Sequence, residues 1–256
     1  MRDALRRRPS TSALEAATAG AAGGALGGLA LSVVGLGWPG AVIGATNGGL
    51  GGWRGTYAWR RPTGPLAFLL DSTWALPLTT GALVTHVAAA VQRGRGGYVA
   101  SLSFRANRHV YARGFRIRRG FLITIGNTVH GVGDDALASP RRRRVVTDHE
   151  DVHVWQGRWF GPLFPVLYVG WLVVGGAVGA AVWAVRRGDR PFGQVVETCA
   201  YYLNPFEWWA YSRDDHWPPA SKVAGLGWRR PAVRPLSATR RRLARPARPA
   251  PPAALG

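Results

Sequence analysis

Five consecutive residues carry the clearest chemical signal in this chain. His149-Glu150-Asp151-Val152-His153 fits the pattern H-E-x-x-H. Two imidazoles four residues apart fall on one helix face, where both can grip a single Zn²⁺. The glutamate beside the first imidazole can then act as general base toward a water at the metal. Catalytic zinc normally takes three protein ligands and keeps one position open, so two histidines do not suffice. Downstream groups able to complete the set are Glu197, Glu207, Asp214, Asp215 and His216.

The surrounding sequence predicts the elements that would hold these groups. Ser139-Pro140 is a helix start, a capping hydroxyl followed by proline at the first helical position. Val145, Val146, His149, Val152, His153 and Gln156 then follow helical spacing, which puts the motif in mid-helix. Gln156 shares the metal-facing side and could orient a ligand or substrate, whereas Asp151 points off that face. Arg141–Arg144 fall on the first turns, where positive charge opposes the helix dipole and an anionic lipid headgroup would compensate. Phe160 to Val185 carries no charge over 26 residues. As a helix it is about 39 Å long, enough to span a membrane. Arg186–Arg190 makes a polar turn, and Pro191 opens a second apolar helix running to about Tyr211. An antiparallel hairpin of this kind returns Glu207 to the motif and leaves Glu197 about half a membrane away. Glu207 is therefore the expected third ligand, with His216 in reserve.

The motif, followed by a helical glutamate in Asn204-Pro205-Phe206-Glu207-Trp208-Trp209-Ala210-Tyr211, resembles the gluzincin branch of zinc metallopeptidases in a small membrane-embedded form. The resemblance covers roughly residues 120–211, and H-E-x-x-H is its only specific part. It implies that His149, His153 and Glu207 bind zinc, that Glu150 is the general base, and that the reaction is peptide-bond hydrolysis. It also implies an edge strand pairing with extended substrate, for which Phe121–Val129 stands in the right place. Tyr211 or His216 would donate to the developing oxyanion. Larger gluzincins commonly place an aspartate four residues after the third-ligand glutamate, where this chain has Tyr211.

Composition points to a membrane. There are 33 basic and 13 acidic residues, a net charge of +20, and Lys222 is the sole lysine. Such a balance calls for an acidic partner, and the apolar segments favour anionic lipid over nucleic acid. No recognition helix or aromatic-interleaved basic strand supports nucleic-acid binding. Cys199 is the only cysteine, which excludes a disulfide framework or a cysteine-based metal site within the chain. Ala16 to Trp53 is uncharged and broken at Trp38-Pro39-Gly40. Gly20, Gly24 and Gly28 on one side, and Gly40, Gly44, Gly48 and Gly52 on the other, predict a glycine-zipper helical hairpin that could also pair copies of the chain. Pro65–Gln92 is a further apolar block containing Asp71, Pro77 and His86, either a span or a segment re-entrant around Pro77.

Residues 97–132 read as two to four strands with a basic face. Tyr98, Ala100, Leu102 and Phe104 alternate, Phe121–Ile125 is β-rich, and Asn107-Arg108 and Arg119-Gly120 are turns, with Gly126-Asn127 at the end. His109 and His130 are expected at the surface of this region. After Pro218 the Pro/Ala/Arg-rich sequence predicts a disordered tail able to bind acidic lipid.

The sequence therefore predicts an α+β, mainly helical multi-pass membrane protein with a small β-sheet region. Its parts are a basic segment 1–15, membrane helices 16–92, a basic β-rich region 93–139, the motif helix and hairpin 140–211, and a tail 212–256. The expected function is a zinc-dependent metallopeptidase acting on a membrane or membrane-proximal protein, with its site on the cytoplasmic side. The alternative is a non-catalytic glycine-zipper scaffold binding anionic lipid, with a structural or vestigial metal site.

Overall fold

A computed structural model describes residues 9–92, 97–115, 121–133, 139–186, 190–219, 222–223 and 225–238. The basic start of the chain, the Arg119-Gly120 turn and the tail beyond residue 238 lie outside the described residues. Glycine sets the packing of the N-terminal part. Helices α1 (Pro9–Ser32) and α2 (Gly37–Arg54) form an antiparallel hairpin. A Cβ at Gly44 would lie 2.0 Å from the Gly23 carbonyl oxygen, and one at Gly40 2.2 Å from that of Gly27. The closest stripe on α1 is Ala19, Gly23 and Gly27, one residue before the expected Gly20, Gly24 and Gly28, which flank it. On α2 the stripe is Gly40, Gly44, Gly48 and Gly52, as the spacing predicts.

Two helical stretches, Ser12–Ser32 and Leu163–Arg186, are long and apolar enough to cross a membrane. The apolar block from Pro65 forms instead two helices, α3 (Thr63–Ser72) and α4 (Leu76–Val91), bent by 90°. Pro77 sits in the first turn of α4, where its missing N–H costs no hydrogen bond.

The β region is smaller than the alternation suggests. Residues Ala100–Ser103 form one helical turn, α5, because Ser103 Oγ donates to the Val99 carbonyl and accepts from the Val110 N–H. Strands β1 (His109–Val110), β2 (Ile123–Ile125) and β3 (Thr128–His130) make a mixed sheet in the order β1-β3-β2. β1 runs parallel to β3, and β2 antiparallel to it. Gly126-Asn127 closes the β2–β3 hairpin, with Gly126 at φ 55°, so it divides the β segment where an end was expected.

His109 and His130 are fully buried and not at the surface, because α4 covers the sheet. His86 packs edge-on against His109 with ring centroids 4.6 Å apart, and Thr85 bonds His130 Nε2 at 3.0 Å. On the sheet's other flank, Leu102, Val110, Val129 and Val132 share a core with Val146 and Val154 of the motif segment. That core fixes the motif helix against the sheet.

The C-terminal part starts with α8 (Leu163–Arg186). The single return helix expected from Pro191 is broken into α9 (Phe192–Glu197), a π-helical turn (Thr198–Tyr202) and α10 (Pro205–Arg213). Gly175 of α8 lets the return arm approach until a Cβ would lie 2.5 Å from the Cys199 carbonyl. Part of the expected disordered tail is packed onto α10. Trp228 stacks on Trp208 at 4.6 Å, Trp208 Nε1 donates to the Arg230 carbonyl at 2.8 Å, and the Ala232 N–H donates to Ser212 Oγ at 2.8 Å. Tryptophan stacking and these hydrogen bonds outweigh the local Pro/Arg composition there.

Candidate metal centre

The motif helix begins where its cap predicts: Ser139 accepts from the Arg142 N–H, and Pro140 follows in the first turn. Two of the four arginines, Arg141 and Arg142, find partners within the protein, while Arg143 and Arg144 are exposed. Arg141 pairs with Asp214 at 2.6 Å, and Arg142 donates to the carbonyls of Val132 and Gly131 at 2.7 and 2.8 Å. After α6 (Pro140–Arg144) the helix widens into a π-helical stretch, Val145–Glu150, then returns to α7 (Asp151–Phe160). The change from π to α falls inside the motif, between Glu150 and Asp151. Such widened turns recur at functional sites. Asp151 faces away from the centre and pairs with Arg108.

His149, His153 and Glu207 converge, all buried, with ligand atoms within 4.8 Å of one another. His149 Nε2 and His153 Nε2 are 3.3 Å apart, and the Glu207 oxygens lie 3.5 and 3.4 Å from them. Ligands about 2.0–2.1 Å from a tetrahedral zinc stand about 3.3–3.4 Å from each other, so the spacing fits. Glu207 Oε2 is buried without a hydrogen-bond partner. Oε1 accepts from the Tyr168 hydroxyl at 2.6 Å.

The orientation of His153 follows from its neighbours. Gln156 Nε2 donates to the Phe206 carbonyl at 3.0 Å, so its Oε1 is the acceptor for His153 Nδ1 at 2.8 Å. Nε2 of His153 therefore faces Glu207, where it would offer its lone pair to a metal held between them. Gln156 also ties the ligand helix to the residue before the third ligand.

Local sequence explains the arrival of Glu207. Asn204 accepts from the Phe206 N–H at 3.0 Å and caps α10, and Pro205 begins the helix. Glu207 thus sits in the first turn of α10, where the dipole favours an anion. Burial alone would raise its pKa, but His153 and His149 outweigh that and hold it well below the usual range. Burial likewise disfavours a charged His153, yet Glu207 and Glu150 raise its pKa to about 9. The buried carboxylate calls for a cation beside it.

Glu150 is 7% exposed, and its Oε2 accepts from Thr124 Oγ1 of β2 at 2.7 Å. It opens onto a cavity of about 410 Å³, lined also by His149, His153, Glu207, Tyr168 and Tyr201. Behind the motif, Arg158 is 1% exposed and grips both oxygens of Asp71 at 2.9 Å. Tyr57 and Asn127 also donate to Asp71, at 2.9 and 3.3 Å, so α3, the β-hairpin and α7 meet at one carboxylate.

Tyr211 packs its ring edge-on against His149 at 4.5 Å and braces that imidazole. The other sequence candidates stay apart from the centre. Asp214 is taken by Arg141, Asp215 accepts from Ser237, and neither Glu197 nor His216 joins the group. Thr124, Tyr168 and Tyr201 are site residues that sequence reasoning missed. The readable signal for Tyr168 was a single hydroxyl inside an otherwise apolar run. Searches of protein-family models, curated proteins and solved structures gave no match to this chain.

Proposed function

We propose that this protein is a zinc-dependent membrane metallopeptidase that hydrolyses peptide bonds of membrane or membrane-proximal polypeptides. The observation that carries the reading is the convergence of His149, His153 and Glu207, with Glu207 Oε2 buried and unpartnered beside the two imidazoles. A zinc ion held by these three would supply Lewis acidity to polarise the scissile carbonyl. Glu150, on the cavity side, takes the proton of the attacking water and delivers it to the departing nitrogen as the C–N bond breaks. Thr124 holds one carboxylate oxygen of Glu150 and leaves the other for that proton. Tyr201, which lines the cavity, is better placed than Tyr211 to donate to the developing oxyanion. In this reading the chain is multi-pass, with the site on the cytoplasmic side by the positive-inside tendency.

Zinc analysis of the purified protein tests the proposal. Wild type and Glu150→Gln should carry roughly one zinc per chain, as expected for a three-ligand site with a separate base. His149→Ala, His153→Ala and Glu207→Ala should lose it. Wild-type protein without zinc would sink the reading. The tight α1–α2 backbone contact favours a second reading, a scaffold in lipid whose metal site is vestigial. In that case His149→Ala changes nothing in vivo while Gly44→Leu abolishes function.

A further inference from the structure

We propose that the C-terminal strap, residues 228–237, forms with α8 a binding site for one anionic phospholipid, and that the bound lipid steadies the third metal ligand. It rests on the metal centre described above and adds what regulates it. The strap lies along α10. Trp228 stacks on Trp208 with ring centroids 4.6 Å apart, and Trp208 follows Glu207 in the chain. The Ala232 N–H donates to Ser212 Oγ at 2.8 Å, Arg213 donates to the Arg234 carbonyl at 3.0 Å, and Ser237 donates to Asp215 at 2.5 Å. Glu207, Tyr211 and Asp214 form the stripe of α10 that meets the motif segment. Trp208, Ser212 and Asp215 form the stripe beside it, and the strap covers that one. α10 has nine residues, and a helix so short is marginal in water without packing on its sides.

The groups left over by these contacts identify the partner. The strap holds α10 with one indole, backbone groups and a hydroxyl. Arg229, Arg230 and Arg234 are exposed, and among the described residues no carboxylate pairs with their guanidiniums. Three such charges within six residues call for an anion.

An apolar cavity adjoins them. Trp228 and Leu203 face Trp171, Val174 and Val178 of α8 across a space of about 370 Å³. α8 is the more apolar of the two helices able to cross a membrane. Arginines and indoles beside such a helix suit the headgroup level of a bilayer. A phosphodiester for the arginines and an acyl chain for the cavity are two ends of one molecule. Nucleic acid or an acidic peptide offers the charge without the chain. Trp228 joins the two halves, since its indole walls the cavity and also stacks on Trp208. A lipid seated there holds the strap down, and the strap holds α10.

The test uses the full chain in phosphatidylcholine nanodiscs, with and without phosphatidylglycerol, beside the triple variant Arg229→Gln/Arg230→Gln/Arg234→Gln. Phosphatidylglycerol with a diazirine in its acyl chain should place several-fold more adducts at Leu203 and Trp228 than matched phosphatidylcholine does. The triple variant should remove that difference. Equal labelling by both lipids would overturn the site. Zinc affinity, read by chelator competition, should rise with phosphatidylglycerol roughly tenfold more in wild type than in the triple variant, within what three arginines at an anionic surface supply. The variant controls for metal gathered by the charged surface itself. An equal rise in both proteins would overturn the lipid's hold on the ligand. Free glycerol 3-phosphate that reproduced the rise in phosphatidylcholine discs would overturn the lipid as ligand. Selective adducts on protein without zinc would refute the metal-centre reading alone, whereas zinc-loaded protein with unselective adducts refutes only this inference.

Discussion

Gln156 holds His153 in one tautomer, since its carbonyl can only accept the Nδ1 proton while its amide is committed to Phe206. That single side chain therefore turns His153 Nε2 toward Glu207 and fixes how far α10 stands from α7. Gln156→Leu should fold but lose roughly 10–100-fold in zinc affinity, the usual cost of an outer partner of a ligand histidine. Competition with a chelator reads this directly. Unchanged affinity would mean the orientation is set elsewhere.

Tyr168 makes a parallel case from the membrane side. Tyr168→Phe removes the donor to Glu207 Oε1 and keeps the ring packed against Phe206. Zinc affinity should fall about tenfold by the same reasoning while thermal stability changes little. A large loss of stability with zinc retained would assign Tyr168 to packing alone.

The α1–α2 hairpin gives a contrast of opposite signs. A Cβ at Gly44 meets backbone at 2.0 Å, whereas one at Gly49 has only the Ala16 carbonyl at 3.9 Å. Gly44→Ala should destabilise by at least about 1–3 kcal/mol, since backbone cannot swing aside as a side chain would. Gly49→Ala should be neutral or stabilise by up to about 1 kcal/mol through helix propensity. Unfolding measured in detergent decides between them.

Buried histidines make the β region acid-sensitive. Burial lowers the pKa of His130 to about 4 and that of His109 well below its usual value. Both are depressed in the folded state, so the stability they confer is complete above about pH 6.5 and falls as pH drops toward the folded values. For His130 the loss approaches about 3 kcal/mol by pH 4. The melting temperature of wild type should drop over this range, and His130→Gln should flatten part of the slope. A profile with no slope between pH 6.5 and 4 would contradict it.

The Asp71–Arg158 pair should show strong coupling. Asp71→Leu leaves Arg158 buried without its partner and should cost about 3–5 kcal/mol. Adding Arg158→Met should recover most of that. If the double variant is no better than the single, the pair does more than neutralise charge.

Much of the centre was legible because it rests on short-range rules. Ser139-Pro140 marked the helix start, and hairpin length along residues 160–211 was enough to choose Glu207 over Glu197. The break at Leu203-Asn204 was less visible, although Asn-Pro before an acidic residue is a capping signal in its own right. Thr124 carried no sequence signal and Tyr168 only its lone hydroxyl in an apolar run, since their roles come from contacts across 26 and 39 residues of sequence. His109 and His130 were misplaced for a similar reason. A basic, polar strand region reads as surface until α4 is known to lie across it. The π-helical widening at Val145–Glu150 has no simple sequence signature.

The order of the ligands along the chain has a consequence for biogenesis. His149 and His153 are made before α8, and Glu207 only after α8 and the return arm. A ribosome that has released the motif but not residue 207 has made a chain with two imidazoles, a base and no third ligand. The centre closes only when α8 has settled and α10 has folded back beside α7. On the peptidase reading proposed above, a centre built this way stays silent during synthesis and gains activity only at the last step of its own assembly.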